Sequence, residues 1–157
     1  AQHANFTVLF YNPNIRPAQE YAKRLTENKR ICLEYGVPFV ELEYDPHTWD
    51  AATKGLEHEP ERGKRCDVCF YLRLRRAAQY AKENGFTRFS SVLGISRYKD
   101  FDQVCRAGQK AAESENIPYD TTNWRKNGGE QRRAALTKLK KLYAQTYCGC
   151  KPRTSLK

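Results

Sequence analysis

The sequence lacks the run of about 20 apolar residues that a membrane-spanning helix requires. Its start, "AQHANFTVLF", also lacks the basic and then apolar order of a signal peptide, since it leads directly into strand-like sequence. A Gly-rich phosphate-binding loop and a Gly-x-Ser-x-Gly motif are absent too, which argues against the common NTPases and hydrolases. We therefore expect a cytoplasmic protein in a reducing environment, with no membrane partner.

Negative charge is comparatively scarce in this chain. Its 157 residues include 28 lysines and arginines but 18 acidic residues, which gives a formal net charge of +10. Such an excess is compatible with a merely soluble surface, and equally with a polyanionic partner, most often nucleic acid. The placement of the basic residues, described below, favours nucleic acid.

Strand-like and helix-like segments alternate along the chain. The predicted extended segments are 5–14, 37–45, 87–95 and 117–124. The predicted helices are 17–36, 66–84, 102–115 and 130–146, the last one facing inward through Ala135, Leu139 and Leu142. This alternation is typical of an α/β fold. We predict one domain over residues 1–157: a three-layer, mainly parallel, Rossmann-like sheet flanked by helices.

The loops that follow the predicted strands are rich in polar, aromatic and basic residues. In parallel α/β sheets, ligands bind beyond the carboxyl ends of the strands. Aromatic and basic groups are suited to stacking on bases and holding phosphates, so these loops indicate RNA binding. The candidate RNA-binding residues are Tyr11, Asn12, Asn14, Arg97, Lys99, Arg125 and Lys126.

The six cysteines include two close pairs. Cys66 and Cys69 are three residues apart at the start of a predicted helix, where Arg65 and the helix N-terminus favour the thiolate form. Cys148 and Cys150 flank Gly149, which lets the backbone turn so that both sulfurs approach one centre. Four thiolates suit zinc or an iron–sulfur cluster, while a dithiol–disulfide redox pair is an alternative for either couple.

The other two cysteines, Cys32 and Cys105, fall inside amphipathic helices, where cysteine behaves as a small buried hydrophobic residue. The predicted topology also raises a difficulty for a shared thiol site. A simple crossover by the last helix would place Cys148 and Cys150 at the opposite edge of the sheet from Cys66 and Cys69. One common site requires that the chain run back across the top of the sheet.

The sequence resembles the QueH-type epoxyqueuosine reductases over nearly its whole length and in the family's order. The motifs that carry this resemblance are "FYNPNIRPAQEYAKR" (10–24), "YGVPFVELEYD" (35–45), "EPERGKRCDVCFYLRLRRAA" (59–78), "SSVLGISRYKDFDQV" (90–104), "NWRKNGG" (123–129) and "LYAQTYCGC" (142–150).

The resemblance implies an oxidoreductase of tRNA processing. The family reduces epoxyqueuosine to queuosine at the tRNA wobble position, in a metal-dependent two-electron reaction. It is a metalloenzyme family with an iron–sulfur cluster, 4Fe–4S in type, and a further mononuclear iron. By motif, its metal-binding thiols map to Cys66, Cys69, Cys148 and Cys150. The implied partners are the anticodon arm of a tRNA and an unidentified electron donor.

One departure from the family pattern concerns the first unit. Family members open with a strand and turn that carry a His-x-Cys-Cys-x-x-Cys motif, and here no cysteine precedes Cys32. We expect that residues 1–157 lack the family's first strand–turn–helix unit. Either the intact protein has that unit and is the enzyme, or a natural variant lacks it and loses cluster ligands with it.

Two other functions stay open at the level of sequence. One is a non-catalytic RNA-binding domain in which the four cysteines hold a structural zinc. The other is a dithiol oxidoreductase that uses one cysteine pair. Colour separates them from the first hypothesis, because iron–sulfur proteins are brown whereas zinc and dithiol proteins are colourless.

Overall fold

The computed structural model describes residues 5–150, which form five α-helices and a small parallel sheet. The strands are β1 (Val8–Phe10) and β2 (Phe39–Glu41), with Val8 opposite Phe39. The helices are α1 (Ala18–Glu34), α2 (Pro46–Thr53), α3 (Lys64–Glu83), α4 (Phe101–Glu115) and α5 (Gly129–Leu139). Within the described residues, no helix is long and apolar enough to cross a membrane.

The larger core lies between α3 and α4. On α3 the buried apolar residues recur at helical spacing, at Phe70, Leu74, Ala78 and Ala81, so that one face of the helix is apolar. The carboxylate of Asp100 caps α4 by accepting hydrogen bonds from the first-turn backbone, which fixes where this helix begins. This packing places the first turns of α3, which carry one cysteine pair, beside the loop that precedes α4.

A second, separate core joins α1 to the sheet. Phe10, Ile15 and Tyr21 form its buried centre. The rings of Tyr21 and Tyr44 stack with their centroids 3.9 Å apart, and Phe10 contacts Tyr21 edge-on. This core fixes the loop after β1 against α1, and that loop carries three of the candidate RNA-binding residues.

The α/β class predicted from the sequence is confirmed, but the sheet is smaller than expected. Of the strand predicted over 87–95, the structure forms one parallel bridge between Phe89 and Tyr119. The chain then turns, because the Ser91 hydroxyl accepts a hydrogen bond from the Leu93 N–H at 3.0 Å and a 3₁₀ helix spans Leu93–Ile95. A local side-chain bond of this kind competes with strand pairing.

Helix α2 was not predicted, although its start has a clear signal. The Asp45 carboxylate accepts hydrogen bonds from the N–H groups of His47 and Thr48 at 3.0 and 3.3 Å, and Pro46 occupies the first turn. An acidic cap followed by proline is a typical helix start. Its eight residues present too short an apolar pattern for the helical period to be evident.

Helix α5 is shorter and more exposed than predicted. It ends at Leu139 instead of residue 146, and the expected inward face is wrong, since Leu139 is 73% exposed and no residue of the helix is buried. The helix ends because Lys141 adopts a positive φ of 48° and the Leu142 N–H bonds to the Thr137 carbonyl at 3.0 Å. This early end frees residues 142–150 to return toward α1.

We expect Gly108→Ala to destabilise the fold, although alanine is the better helix former by about 1 kcal/mol. A Cβ at Gly108, inside α4, would lie 2.3 Å from the ring of Tyr119, which packs against the larger core. Overpacking of this kind typically costs about 1–3 kcal/mol. Urea denaturation measures the change. In a Tyr119→Leu background, Gly108→Ala should lower the free energy of unfolding by less, because the ring is absent. A Gly108→Ala variant as stable as the parent would contradict the clash.

Candidate thiol and RNA site

The first cysteine pair lies on the opening turns of α3. Cys69 is buried, and Cys66 is half-buried and packs against the larger core. A residue that precedes the helix fixes its start, because the Glu59 carboxylate accepts a hydrogen bond from the Lys64 N–H at 2.9 Å. Both thiols therefore lie at the N-terminal end of the helix, as the sequence predicted.

The second pair lies at the end of the described chain. The Sγ atoms of Cys148 and Cys150 are 3.1 Å apart. Gly149 between them has a φ of 112°, and a Cβ there would lie 2.9 Å from Cγ1 of Ile15. Glycine is thus required both by the backbone conformation and by the close contact with the loop after β1.

The segment that carries the second pair is bonded to the start of α1. The Arg16 N–H donates to the Gly149 carbonyl at 2.8 Å, and the Arg24 guanidinium donates to the carbonyls of Tyr147 and Cys148. These bonds hold Cys148 and Cys150 at the carboxyl end of β1. The chain therefore does return across the top of the sheet, which answers the topological difficulty raised by the sequence.

The two pairs share one electrostatic environment. Burial is the main cause that raises the pKa of Cys66, and Cys69 and Cys148 raise it further. The hydrogen bond with Cys148 is the main cause that raises the pKa of Cys150, followed by burial, while Cys69 also contributes. Because Cys148 acts on Cys66 and Cys69 acts on Cys150, the two pairs lie close enough to interact electrostatically.

The expectation that Cys66 is a thiolate needs correction. Arg65 does lower the pKa of Cys66, as predicted from the sequence, but the effect of burial is larger and of opposite sign. Desolvation disfavours the charged form of a thiol unless a stronger partner compensates. A metal ion is such a partner, because its ligand is the thiolate and binding displaces the proton.

The four thiols supply the ligand chemistry of a zinc or iron–sulfur site. They do so without a preformed ligand geometry: across residues 5–150, no group of three or more histidine, cysteine or acidic side chains is arranged to hold a metal ion. The described residues therefore fit such a group in the type of their donors, which lie in two pairs and not in one ligand cluster.

Cations surround the thiols. Lys99 is half-buried, and burial, followed by the charge of Arg73, lowers the pKa of its ammonium, while Cys148, Cys69 and Cys66 act in the opposite direction. Lys99 was predicted from the sequence as a phosphate contact, and the structure places it toward the cysteines. Arg73 was not predicted, since its position on α3 alone does not reveal its neighbours.

A cavity of about 500 Å³ opens beside Cys150. Arg16, Trp49 and Arg65 contribute to its wall, and Trp49 is 4% exposed. The indole N–H of Trp49 has no hydrogen-bond acceptor among the described residues. The volume lies within the usual range of small-molecule sites, so a nucleobase next to the thiols is sterically reasonable.

The candidate residues in the loop after β1 are mostly enclosed. Tyr11 is 9% exposed and Asn14 is 2% exposed, and the Oδ1 atom of Asn12 accepts a hydrogen bond from Arg73. The side chain of Asn14 lies next to Gly149. Tyr11 and Asn14 are therefore buried, Asn12 is half-buried, and of the three Asn14 is placed beside the second cysteine pair.

The other candidates have distinct positions. Arg125 donates hydrogen bonds to the carbonyls of Gly94, Ser96 and Lys99, and so it fixes the loop that precedes α4. Arg97 on that loop is exposed, with its guanidinium 5.1 Å from the ring centroid of Tyr98, and Lys126 is exposed as well.

A further group of cations lies on and just after α5. We call Arg132, Arg133, Lys138 and Lys141 the α5 cations; all four are exposed, and within the described residues none forms an ion pair with an acidic side chain. The sequence prediction missed this surface because it assigned α5 an inward face. The excess of basic over acidic residues in 129–141 was the available signal.

The fold and the site define a basic α/β protein whose second cysteine pair lies beside the loop after β1, within electrostatic reach of Cys66. A family model described as epoxyqueuosine reductase QueH matches residues 1–153. The chain belongs to this family.

Several curated relatives are named epoxyqueuosine reductase QueH. The chain is 49% identical to that of Histophilus somni and 47% identical to that of Haemophilus influenzae, each over 151 residues that cover 96% of this chain and 62% of the relative. It is 33% identical to the Thermotoga maritima protein over 144 residues, covering 90% of this chain and 75% of the relative. The chain thus spans about 62% of the length of the first two relatives.

Proposed function

We propose that the chain belongs to a cytoplasmic enzyme that reduces epoxyqueuosine to queuosine at the wobble position of a tRNA. The observation that carries this proposal is the return of the second cysteine pair to α1, within electrostatic reach of Cys66, in a chain of the QueH family. A site built from two distant thiol pairs suits redox chemistry at a metal. The cavity beside Cys150 offers space for a base next to it.

In this proposal Cys66, Cys69, Cys148 and Cys150 hold an iron–sulfur cluster of the 4Fe–4S type, with a mononuclear iron nearby. When bound, this group would pass electrons from a donor to the substrate and would supply a Lewis acid for the epoxide oxygen. The oxygen leaves as water, so the reaction consumes two electrons and two protons, and an external donor provides the electrons. The ammonium of Lys99 and the guanidinium of Arg73 place positive charge beside the thiols.

The same proposal assigns the tRNA to the basic surface. A wobble base is accessible in the anticodon loop without opening a duplex, and it can enter the cavity lined by Trp49. Arg97, Lys126 and the α5 cations contact phosphates, Arg125 fixes the loop of Arg97 and Lys99, and Tyr11, Asn12 and Asn14 form the base of the site.

Anaerobic reconstitution with iron and sulfide tests the metal part of the proposal. We expect brown protein with visible charge-transfer absorption and with iron and sulfide in similar amounts by chemical analysis. Nucleoside mass spectrometry of tRNA that contains epoxyqueuosine then measures reduction in the presence of a chemical reductant. Bound zinc without iron would instead support a non-catalytic RNA-binding domain, and an iron-loaded protein that leaves the modified base unchanged would contradict the reductase.

A second candidate function, dithiol–disulfide exchange, is favoured by the 3.1 Å separation of the Cys148 and Cys150 sulfurs. Thiol trapping with a mass-tagged alkylating reagent distinguishes it. Mild oxidation should then remove two reactive thiols from the peptide 142–150, and dithiothreitol should restore both. Retention of both thiols under oxidation would exclude this function for Cys148 and Cys150.

A further inference from the structure

Two of the four candidate metal-binding thiols lie on a segment that has no regular secondary structure. We call residues 142–150, which follow α5, the thiol arm. A segment without helix or strand is held in one conformation only by its contacts with the rest of the molecule. Its contacts therefore decide whether the second cysteine pair meets the first.

Arg24 makes the most extensive of these contacts. It lies on α1, is 8% exposed, and donates from Nη1 to the Cys148 carbonyl at 3.1 Å and from Nη2 to the Tyr147 carbonyl at 2.8 Å. Its guanidinium also lies 5.4 Å from the ring centroid of Tyr147. One side chain thus contacts two successive residues of the arm, one of them a cysteine.

Glu20 holds this guanidinium in place. Its Oε1 atom accepts a hydrogen bond from Nε of Arg24 at 2.7 Å, and its Oε2 atom accepts one from the hydroxyl of Tyr143, also on the arm, at 2.7 Å. Burial alone would raise the pKa of Glu20, but the hydrogen bonds from Tyr143 and Arg24 outweigh it, so the net pKa is lowered. The Glu20 carboxylate therefore stays ionised, and the pair joins α1 to the arm through Tyr143 near its start and through Tyr147 and Cys148 near its end.

The hydrogen bonds of the buried Arg24 guanidinium favour the docked position of the arm. A buried guanidinium is tolerated only when its donors are satisfied, and bonds between charged and neutral partners are stronger than ordinary ones. Nη1 and Nη2 find their acceptors on the arm, while Glu20 satisfies Nε. Undocking would break both bonds from Arg24 to the arm, so these bonds favour the docked position.

We propose that Arg24 is a positioning residue, oriented by Glu20, that docks the thiol arm so that Cys148 and Cys150 face Cys66 and Cys69. What the assembled thiols then do rests on the proposed function. The docking itself is a property of the chain and can be measured without metal or tRNA.

Cross-linking with a short bifunctional thiol alkylator, followed by peptide mapping, tests the proposal on the whole chain. The measured quantity is the yield of links between the two pairs, relative to the link within the pair Cys148 and Cys150. In Arg24→Gln this ratio should fall about tenfold, as expected when hydrogen bonds to a charged group are lost. Arg24→Lys keeps the charge but not the two Nη donors, so it should give an intermediate ratio.

Lys29→Gln is the matched control. It removes a cation from the same helix, but one whose partner is Glu41 on β2 and not the arm. Its ratio should equal that of the parent. If Arg24→Gln keeps the parent ratio with an unchanged circular dichroism spectrum, the positioning role is overturned.

A second variant covers the case in which Arg24→Gln fails to fold. Tyr143→Phe removes one hydroxyl from a side chain that is 40% exposed, so folding should persist. It should lower the cross-link ratio several-fold through the loss of the bond to Glu20. Parent ratios in both Tyr143→Phe and Arg24→Lys would overturn the proposal.

Metal reconstitution of the same variants separates the two hypotheses. If the parent binds no metal but its cross-link ratio falls in Arg24→Gln, the proposed function fails and the docking role stands. If the parent binds iron and Arg24→Gln keeps both the iron and the cross-link ratio, the proposed function stands and the docking role fails.

Discussion

Cys66→Ala is expected to abolish most iron binding and epoxyqueuosine reduction while the fold persists. In the proposed site Cys66 is one of four thiolate ligands, and the loss of one thiolate weakens the binding of an iron–sulfur cluster. Replacing a residue that only supports a metal ligand typically lowers metal affinity or activity about 10- to 100-fold. Replacing a ligand itself should therefore lower activity by at least about 100-fold. The measurements are iron content, reduction of modified tRNA, and circular dichroism.

Cys105→Ala is the control for this prediction. Cys105 lies half-buried on α4, and burial is the main cause that raises the pKa of its thiol, as expected of a structural cysteine. Its replacement should leave iron content unchanged. Equal iron in the Cys66 and Cys105 variants would contradict the four-cysteine site. Loss of metal together with unfolding in Cys66→Ala would instead indicate a structural zinc.

The parts of the fold that the sequence predicted well are those with local signals. Helix α3 was expected over about 66–84 and spans Lys64–Glu83, because its apolar residues follow the helical period and Gly85 terminates it. Of the strand predicted over 87–95, the structure forms only a bridge at Phe89, because strand pairing depends on partners distant in sequence. Helix α5 had an apolar period, yet period alone does not reveal whether a neighbour covers it.

The same distinction applies to the site. Both cysteine pairs are evident from spacing, and Gly149 signals the turn between the last two. The position of the second pair involves bonds from Arg24 to backbone carbonyls more than 120 residues away, and any residue type can supply a carbonyl. Sequence patterns therefore identify the thiols but not the residues that bring them together.

The α5 cations are expected to dominate phosphate contacts with tRNA. Replacing Arg132, Arg133, Lys138 and Lys141 with glutamine should reduce tRNA affinity at least tenfold at about 0.1 M salt. It should also lower the slope of log affinity against log salt by about 3, since each phosphate contact contributes about 0.7 to 0.9. The physical reason is that these exposed cations form no ion pairs with acidic side chains within residues 5–150.

Binding titrations at several salt concentrations measure this slope, with a control that carries the same change in net charge. The control replaces four exposed cations on α1, α3 and α4: Lys29, Arg75, Lys82 and Lys110. A general attraction between a chain of charge +10 and a polyanion would lower the slope equally in both variants. A localised tRNA surface lowers it in the α5 variant alone. Because α5 leads into the thiol arm, that result would place the bound phosphates next to the segment that carries Cys148 and Cys150.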